Sequence, residues 1–509
     1  MKDSRIKNAS RNMIWGGVNK TVVLILPFIT RTIILYMLGA SYLGVGTLFS
    51  SILSFLSLTE LGLSAAIVYV MYKPLAENDT KTICALLNYY RNFYRIIGIV
   101  MLAIGTGILP LVPMMIQGGS PDGINIYILY YIYLINSVVS YFFAGYRSSL
   151  LIASQREDIS TKILTIVNIL VQFGQIVVLV ATKNFYFYAI VPIVGTLATN
   201  TLYYIITRKK YPEYRPEGKL DSTIKANIKK KISGLIGTKL NSIVVHSADT
   251  IVISTFLGLT LTAQYGNYYL IFNSVCNFIG VFFSSITAGV GNKLVLDNMT
   301  EGFKLFKRIS YINGWIVCWC CSCFLCLYEP FMKIWVGEDL MLGLPFTVLM
   351  VLYFFVYQIQ KTILTFKDAA GLWHVDKIRP YCSMIINVVS NIILVQYIGI
   401  YGIVISSILA FLISLPWANK VLFEHLFRMN AFSNIKRICK YFVLTVGICV
   451  AAYGCCMICA DGISGLVQRL VICCLVPNIL FVLMTFKTEE ANYCLQLVGR
   501  FVKKVRMVI

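Results

Sequence analysis

The membrane-spanning pattern of this chain is written twice. Displacing the sequence by roughly 219 residues lays Lys20 on Lys239, Gly39 on Gly258, Glu157 on Asp376 and Asn168 on Asn387. Between these anchors the same rhythm recurs: apolar stretch, tight glycine break, apolar stretch, charged loop. Two like-oriented bundles in one membrane chain imply a transporter fold. Its substrate path is expected between the halves, with access switching as one half rocks against the other.

Composition sets the class. Of the 509 residues 58% are hydrophobic and only 13% charged, and the mean hydropathy is +0.76. A spanning helix needs about 20 apolar residues. Candidate spans lie at 12–38, 43–72, 83–109, 124–154, 163–181 and 187–207 in the first half. The second half offers 232–257, 261–290, 309–327, 342–366, 381–398 and 401–422, and two further spans, 441–460 and 466–486, fall outside the repeat. The expected architecture is an all-α polytopic membrane protein of about 14 transmembrane helices. Its parts are an N-lobe (1–210), a basic linker (211–231), a C-lobe (232–425), a helix pair (439–486) and a basic tail (487–509).

The net charge of +22 is distributed in a way that argues against nucleic-acid binding. Lys2, Arg5, Lys7 and Arg11 precede the first span, and Arg208, Lys209, Lys210, Lys229, Lys230 and Lys231 crowd the linker. Every second loop is basic, whereas the intervening loops are short or carry Asp122, Glu338, Asp339 or Asp461. That is the positive-inside pattern, with both termini expected in the cytoplasm. The linker is expected to rest on anionic headgroups. The first apolar segment runs past the length of a signal h-region without a cleavage site, so it is expected to stay as the first span.

Ten of the 16 cysteines cluster at Cys318–Cys326, at Cys455, Cys456 and Cys459, and at Cys473 and Cys474. Their neighbours are apolar residues of spans, so they read as small polarizable packing residues. Neither a metal site nor a cofactor is expected, and the outer loops carry no disulfide framework. Gly289–Lys293 lacks the spacing and context of a phosphate-binding loop. With no soluble stretch of domain size and only His246, His374 and His425, an enzyme is not expected.

Ionisable residues within spans are functional candidates, because a charge in lipid costs several kcal/mol. Lys20 and Arg31 lie eleven residues apart, about three turns on one helical face. Glu60, counted along the next helix from the Gly39 turn, lies about as deep as Lys20, so the two are expected to form a gating or structural ion pair. Lys239 occupies the place of Lys20 in the repeat, but Ile279 stands where Glu60 does. Arg31, Arg147, Lys239 and Lys361 are the candidate cavity cations, although snorkelling to the inner surface competes for Arg147 and Lys239. An excess of buried cations suits an anionic guest such as a phosphate or pyrophosphate. His246 and Asp249 could couple transport to an ion, with a water-exposed Asp at a helix end as the simpler reading. The tyrosine doublets Tyr89-Tyr90, Tyr130-Tyr131, Tyr203-Tyr204 and Tyr268-Tyr269 read as an interfacial belt.

Three stretches carry a family likeness: Arg11-Asn12-Met13-Ile14-Trp15, Leu38-Gly39-Ala40-Ser41-Tyr42-Leu43-Gly44 and Leu58-Thr59-Glu60-Leu61-Gly62-Leu63-Ser64-Ala65-Ala66. Ala153-Ser154-Gln155-Arg156-Glu157-Asp158-Ile159 adds a fourth. Together they resemble the Wzx-like flippases of O-antigen, capsule and exopolysaccharide repeat units, in the multidrug/oligosaccharidyl-lipid/polysaccharide (MOP) superfamily. The resemblance implies two six-helix lobes, two extra C-terminal helices and a central cavity that opens alternately to either side. The substrate implied is an undecaprenyl-pyrophosphate-linked oligosaccharide carried from the cytoplasmic to the outer leaflet, with a polysaccharide polymerase as a candidate partner. Arg31, Arg147, Lys239 and Lys361 would then meet the pyrophosphate and acidic sugars. A cation-coupled multidrug exporter of the same superfamily and a lipid II flippase are the alternatives.

Overall fold

The computed structural model describes residues 2–57, 63–296 and 299–496, apart from the side chains of 2–10, 227, 229–236, 238, 239, 242, 288, 295 and 296. The chain is 87% helical, with no strand among the described residues. Such economy follows from the solvent, since hydrocarbon offers the backbone no hydrogen-bond partner and each spanning segment must satisfy its own.

The first part comprises α1 (Lys2–Met37), α2 (Ala40–Leu56), α3 (Leu63–Glu77), α4 (Thr80–Ile108), α5 (Ile126–Phe142), α6 (Ser148–Ala153), α7 (Glu157–Thr182) and α8 (Phe185–Lys210). Then follow α9 (Ser222–Leu257), α10 (Leu259–Leu296), α11 (Met299–Val336), α12 (Leu344–Ile359), α13 (Lys361–Ala369), α14 (Arg379–Ile398) and α15 (Ile400–Leu422). The chain closes with α16 (Phe432–Cys456) and α17 (Gly462–Thr485). Eleven described helical segments are long and apolar enough to cross a membrane, or 12 if the pair α5–α6, bent by 52°, is one span. Ala40–Leu56 and Ile243–Leu257 are shorter apolar helices. Adding them gives a set compatible with the expected 14.

The repeat is visible in the backbone. Helices α1 and α9 are each 36 residues long. The turn after α1 is made by Gly39 at φ 100°, ψ 173°, and the turn after α9 by Gly258 at φ 87°, ψ 175°. A side chain is strained at that φ, so a glycine at each place lets successive helices be joined by only one or two residues. Elsewhere the turns are capped by side chains. Asp79 accepts from the Thr82 backbone N–H (3.1 Å), Asn125 from that of Tyr127 (3.0 Å) and Asn184 from that of Tyr186 (2.9 Å). The hydrogen bond from Thr82 also holds the Asp79 carboxyl below the usual carboxylate range.

Two compact units divide the chain at residue 266. In the first, Met1–Gly266, Val45, Leu48 and Phe49 of α2 pack with Leu86 and Leu87 of α4 and with Leu129 and Tyr130 of α5. Helix α1 lies along α7, α7 along α8, and α9 against α2 and α3. In the second, Asn267–Ile509, α11 is the central post, flanked by α12, α16 and α17, while α14 and α15 form a tight hairpin. Phe306 of α11 meets Phe366 of α13 edge-on, with ring centroids 5.2 Å apart.

The tyrosine doublets do not present both of their rings at the surface. In each, one ring turns into the protein: Tyr90, Tyr130, Tyr203 and Tyr268 are buried, whereas Tyr89, Tyr131 and Tyr269 are half-buried and Tyr204 is exposed. Neighbours on a helix point about 100° apart, given 3.6 residues per turn, so a doublet cannot place both rings at one surface. The buried rings find partners: the Tyr130 hydroxyl donates to the Gly105 carbonyl (3.0 Å), and the Tyr268 hydroxyl donates to the Glu329 carboxylate (3.3 Å).

At Gly44 of α2 an added Cβ would stand 2.1 Å from the carbonyl oxygen of Leu259, a backbone atom that cannot swing aside. Gly44→Ala is expected to destabilise the protein by about 1–3 kcal/mol. Gly107→Ala, where nothing lies within 4 Å, should be nearly neutral. Thermal unfolding of the two variants in detergent, followed by loss of the monodisperse species, checks the contrast.

Candidate functional site

The polar residues of the first unit are laid out by helix period. Along α1, Asn12 accepts from the Asp158 backbone N–H (2.7 Å), Asn19 from the Thr165 hydroxyl (3.0 Å), and Thr30 donates to Gln172. On α7 these partners recur every seven residues, two helical turns, which makes a polar seam along the α1–α7 contact. Next to the seam is a cavity of about 550 Å³. Ser50 and Ser54 of α2, Tyr133 and Asn136 of α5, Gln172 and Gln175 of α7, and Tyr188 of α8 supply its polar lining. Among the described residues no carboxylate or ammonium lines it. It can hydrogen-bond hydroxyl or amide groups, or water, without attracting a free ion.

Arg31 stands beside this cavity. Thr30, its neighbour, faces α7, so the arginine turns to another side of α1. Its guanidinium lies within electrostatic reach of the Tyr188 hydroxyl. A Cβ on Gly266 would meet Nη2 of Arg31 at 2.8 Å. The absent side chain of Gly266 thus lets the guanidinium lie against the α10 backbone.

The remaining sequence candidates separate. Lys20 is exposed, whereas Glu60, its expected partner, and the side chain of Lys239 lie outside the described residues. Arg147 is 6% exposed inside the first unit. It donates to the Thr207 hydroxyl at 3.2 Å and lies 4.9 Å from the ring centroid of Tyr204. Lys361 is half-buried at the first turn of α13, immediately after the break in the α12–α13 span. His246 is half-buried on α9. Asp249 is not the water-exposed helix-end residue that its position near Gly258 suggests. It is 1% exposed and accepts a hydrogen bond from the Tyr265 hydroxyl at 3.1 Å. The reversal at Gly258 folds the start of α10 back over α9 and covers it.

Sequence reading missed a buried charge cluster in the second unit. Asp376, fully buried, pairs with Lys367 and with Nε of Arg379 at 2.9 Å, and Arg379 also donates to the Ser414 hydroxyl at 2.6 Å. The corresponding loop of the first unit holds Asp158, paired with Arg156 at 2.9 Å and Arg11 at 3.9 Å. Asp376 was visible as an anchor of the repeat, but nothing in its spacing from Lys367 and Arg379 marks them as mutual partners. Replacing Asp376 by Ala leaves buried Arg379 with the Ser414 hydroxyl alone and Lys367 with only the exposed Asp368 at 3.7 Å, and is expected to cost about 3–5 kcal/mol. Asp158→Ala, whose partners reach solvent, should cost clearly less. Comparison of detergent melting temperatures reads the difference, and equal losses would contradict it.

Solved structures place this architecture. No family model matches the sequence, and no curated protein sequence matches it. A lipid II flippase, MurJ, in an inward closed conformation superposes with a TM-score of 0.66 at 16% identity, over 93% of this chain and 99% of that one. An inward-facing multidrug resistance MATE family transporter of the MOP superfamily gives 0.62 at 14% identity, over 80% and 97%. A point mutant of the Vibrio cholerae MATE transporter VcmN gives 0.55 at 13% identity, over 84% and 99%. The chain has the MOP fold. Its many apolar helices make it a multi-pass membrane protein, and its structural neighbours are transporters and flippases rather than enzymes.

Proposed function

We propose that this protein is a flippase that moves a polyprenyl-pyrophosphate-linked oligosaccharide repeat unit from the cytoplasmic to the outer leaflet for surface polysaccharide synthesis. The observation that carries the reading is the extent of the structural likeness. The match to the lipid II flippase spans 93% of the chain, whereas the exporter matches span 80% to 87% of it while using nearly all of their own length. The surplus is comparable in length to α16 and α17, so the exporter likeness accounts for less of this chain.

Electrostatics supports the same choice. A cation-coupled exporter needs carboxylates open to its guest, but the described lining of the cavity beside Arg31 has none, and Asp249 is closed in by Tyr265. A pyrophosphate calls for the reverse, a guanidinium fork or ammonium that replaces its water. In this reading Arg31 meets the anionic head, with Lys239 and Lys361 as further cations, while Arg147 braces the first unit against Tyr204. Lys20 with Glu60 is proposed as a gate or structural pair, and His246 with Asp249 as the place to look for ion coupling. The prenyl tail stays in lipid, and head-group binding biases the equilibrium between inward- and outward-open forms.

A deletion strain complemented with wild type or Arg31→Ala tests the proposal, with lipid-linked repeat units assayed by leaflet. Loss of one charge-assisted hydrogen bond costs about 1.5–3 kcal/mol, so transport by a normally expressed Arg31→Ala protein should fall by about tenfold or more. Repeat units should then accumulate on the cytoplasmic face. Normal surface glycan with altered drug tolerance would instead establish the exporter, and accumulation of cell-wall precursor would establish the lipid II flippase.

A further inference from the structure

Three cysteines far apart in sequence meet inside the second unit. Cys326 of α11, Cys456 at the end of α16 and Cys473 of α17 are all buried, and their sulfur atoms all lie within 4.8 Å of one another. Their sequence neighbours Cys455 and Cys474 point outward and are exposed, so each doublet contributes one inward thiol. Cys323, one turn before Cys326, packs against the same cluster. We propose that Cys326, Cys456 and Cys473 form a binding site for a thiophilic divalent cation of the zinc type, which fastens the last helix pair to α11.

The geometry is close to what such an ion requires. At a zinc–sulfur distance of about 2.3 Å, tetrahedral ligands stand about 3.8 Å apart. The thiols therefore need to close by less than about 1 Å. Neither carboxylate nor imidazole belongs to the cluster, and an all-sulfur donor set favours soft ions over magnesium or calcium. Binding converts three thiols to thiolates and releases three protons, so affinity falls as the pH falls. A divalent ion on three thiolates carries one net negative charge. Arg469 of α17 offsets it, since its Nε donates to the Cys456 carbonyl at 3.4 Å. The ion also has a way in. A cavity of about 510 Å³ reaches Cys326 and Cys456, and Glu329, Lys333, Asp461 and Arg469 give it a polar wall. The fourth ligand is then Cys323 or a water from that cavity.

The site sits where three helices already pack together and where the Trp319 indole donates to the Cys473 carbonyl at 3.0 Å. Helix α17 is only sparsely buried, and both α16 and α17 lie outside the repeat. Crosslinking them to α11 through one ion would fix the pair without a disulfide.

Cobalt(II) titration of the full-length, metal-stripped and reduced protein in detergent tests the site. One equivalent should produce thiolate-to-cobalt charge-transfer absorption that zinc(II) displaces. Cys326→Ala, Cys456→Ala and Cys473→Ala should each weaken cobalt binding by about a hundredfold or more, whereas the exposed Cys439 can be replaced without effect. Should those variants misfold, mass-spectrometric alkylation of the wild-type chain gives the readout. Zinc should protect Cys326, Cys456 and Cys473 and leave Cys439, Cys455 and Cys474 reactive. Absence of the cobalt band or of zinc protection in the wild type overturns the proposal. So does a band unchanged in all three variants, or a disulfide joining two of the three thiols.

Discussion

Every part of this structure answers to one constraint: inside hydrocarbon the backbone must close its hydrogen bonds within each helix. Reversals are therefore permitted only where a special residue makes them cheap. Gly39 and Gly258 make the two sharpest, with nearly the same φ and ψ. Asp79 and Asn184 cap helices that restart after two-residue connections, and Asn125 caps one that restarts after a longer loop. The helices that lead into the two glycine turns, α1 and α9, are both 36 residues long, whereas later helices of the halves differ in length. At these turns two halves with few identical residues share a backbone plan.

The same solvent governs charge. An ion in the interior persists only with a partner, and the two units meet that demand at corresponding loops. Asp376 serves Lys367 and Arg379, and Asp158 serves Arg156 and Arg11. The sequence repeat aligns Glu157 with Asp376, yet Glu157 is exposed and its neighbour Asp158 is the paired residue. Helix α7 begins at Glu157, whereas α14 begins only at Arg379. The carboxylate thus sits within the first turn in one unit and ahead of the helix in the other. Symmetry preserves the task of the loop, while the residue that performs it slips by one.

How much could be read from sequence depends on the scale of each feature. Spans were legible because hydropathy is a property of some twenty residues together, and the glycine turns because φ there excludes other side chains. The direction a side chain takes was not, because one residue on a helix turns it by about 100°. That is why the tyrosine doublets read as a belt but bury one ring each, and why Cys455 and Cys456 look alike in sequence but face opposite ways. Asp249 fails for a related reason. Its distance from Gly258 along the chain is short, but the turn brings Tyr265 back over it. The meeting of Cys326, Cys456 and Cys473 depends on three helices packing together, and no spacing within one of them announces it.

Burial also sorts the cations. Arg147 already has Thr207 and Tyr204 around it, so an incoming anion would have to compete with contacts that stabilise the unit. Arg31 has a glycine backbone on one side and a wall of hydroxyls and amides close by. A neutral polar wall neither neutralises a guanidinium nor repels a sugar. Among the described residues the cavity lining carries no negative charge. What that described lining offers is hydrogen bonds rather than charge, which suits a hydroxylated group.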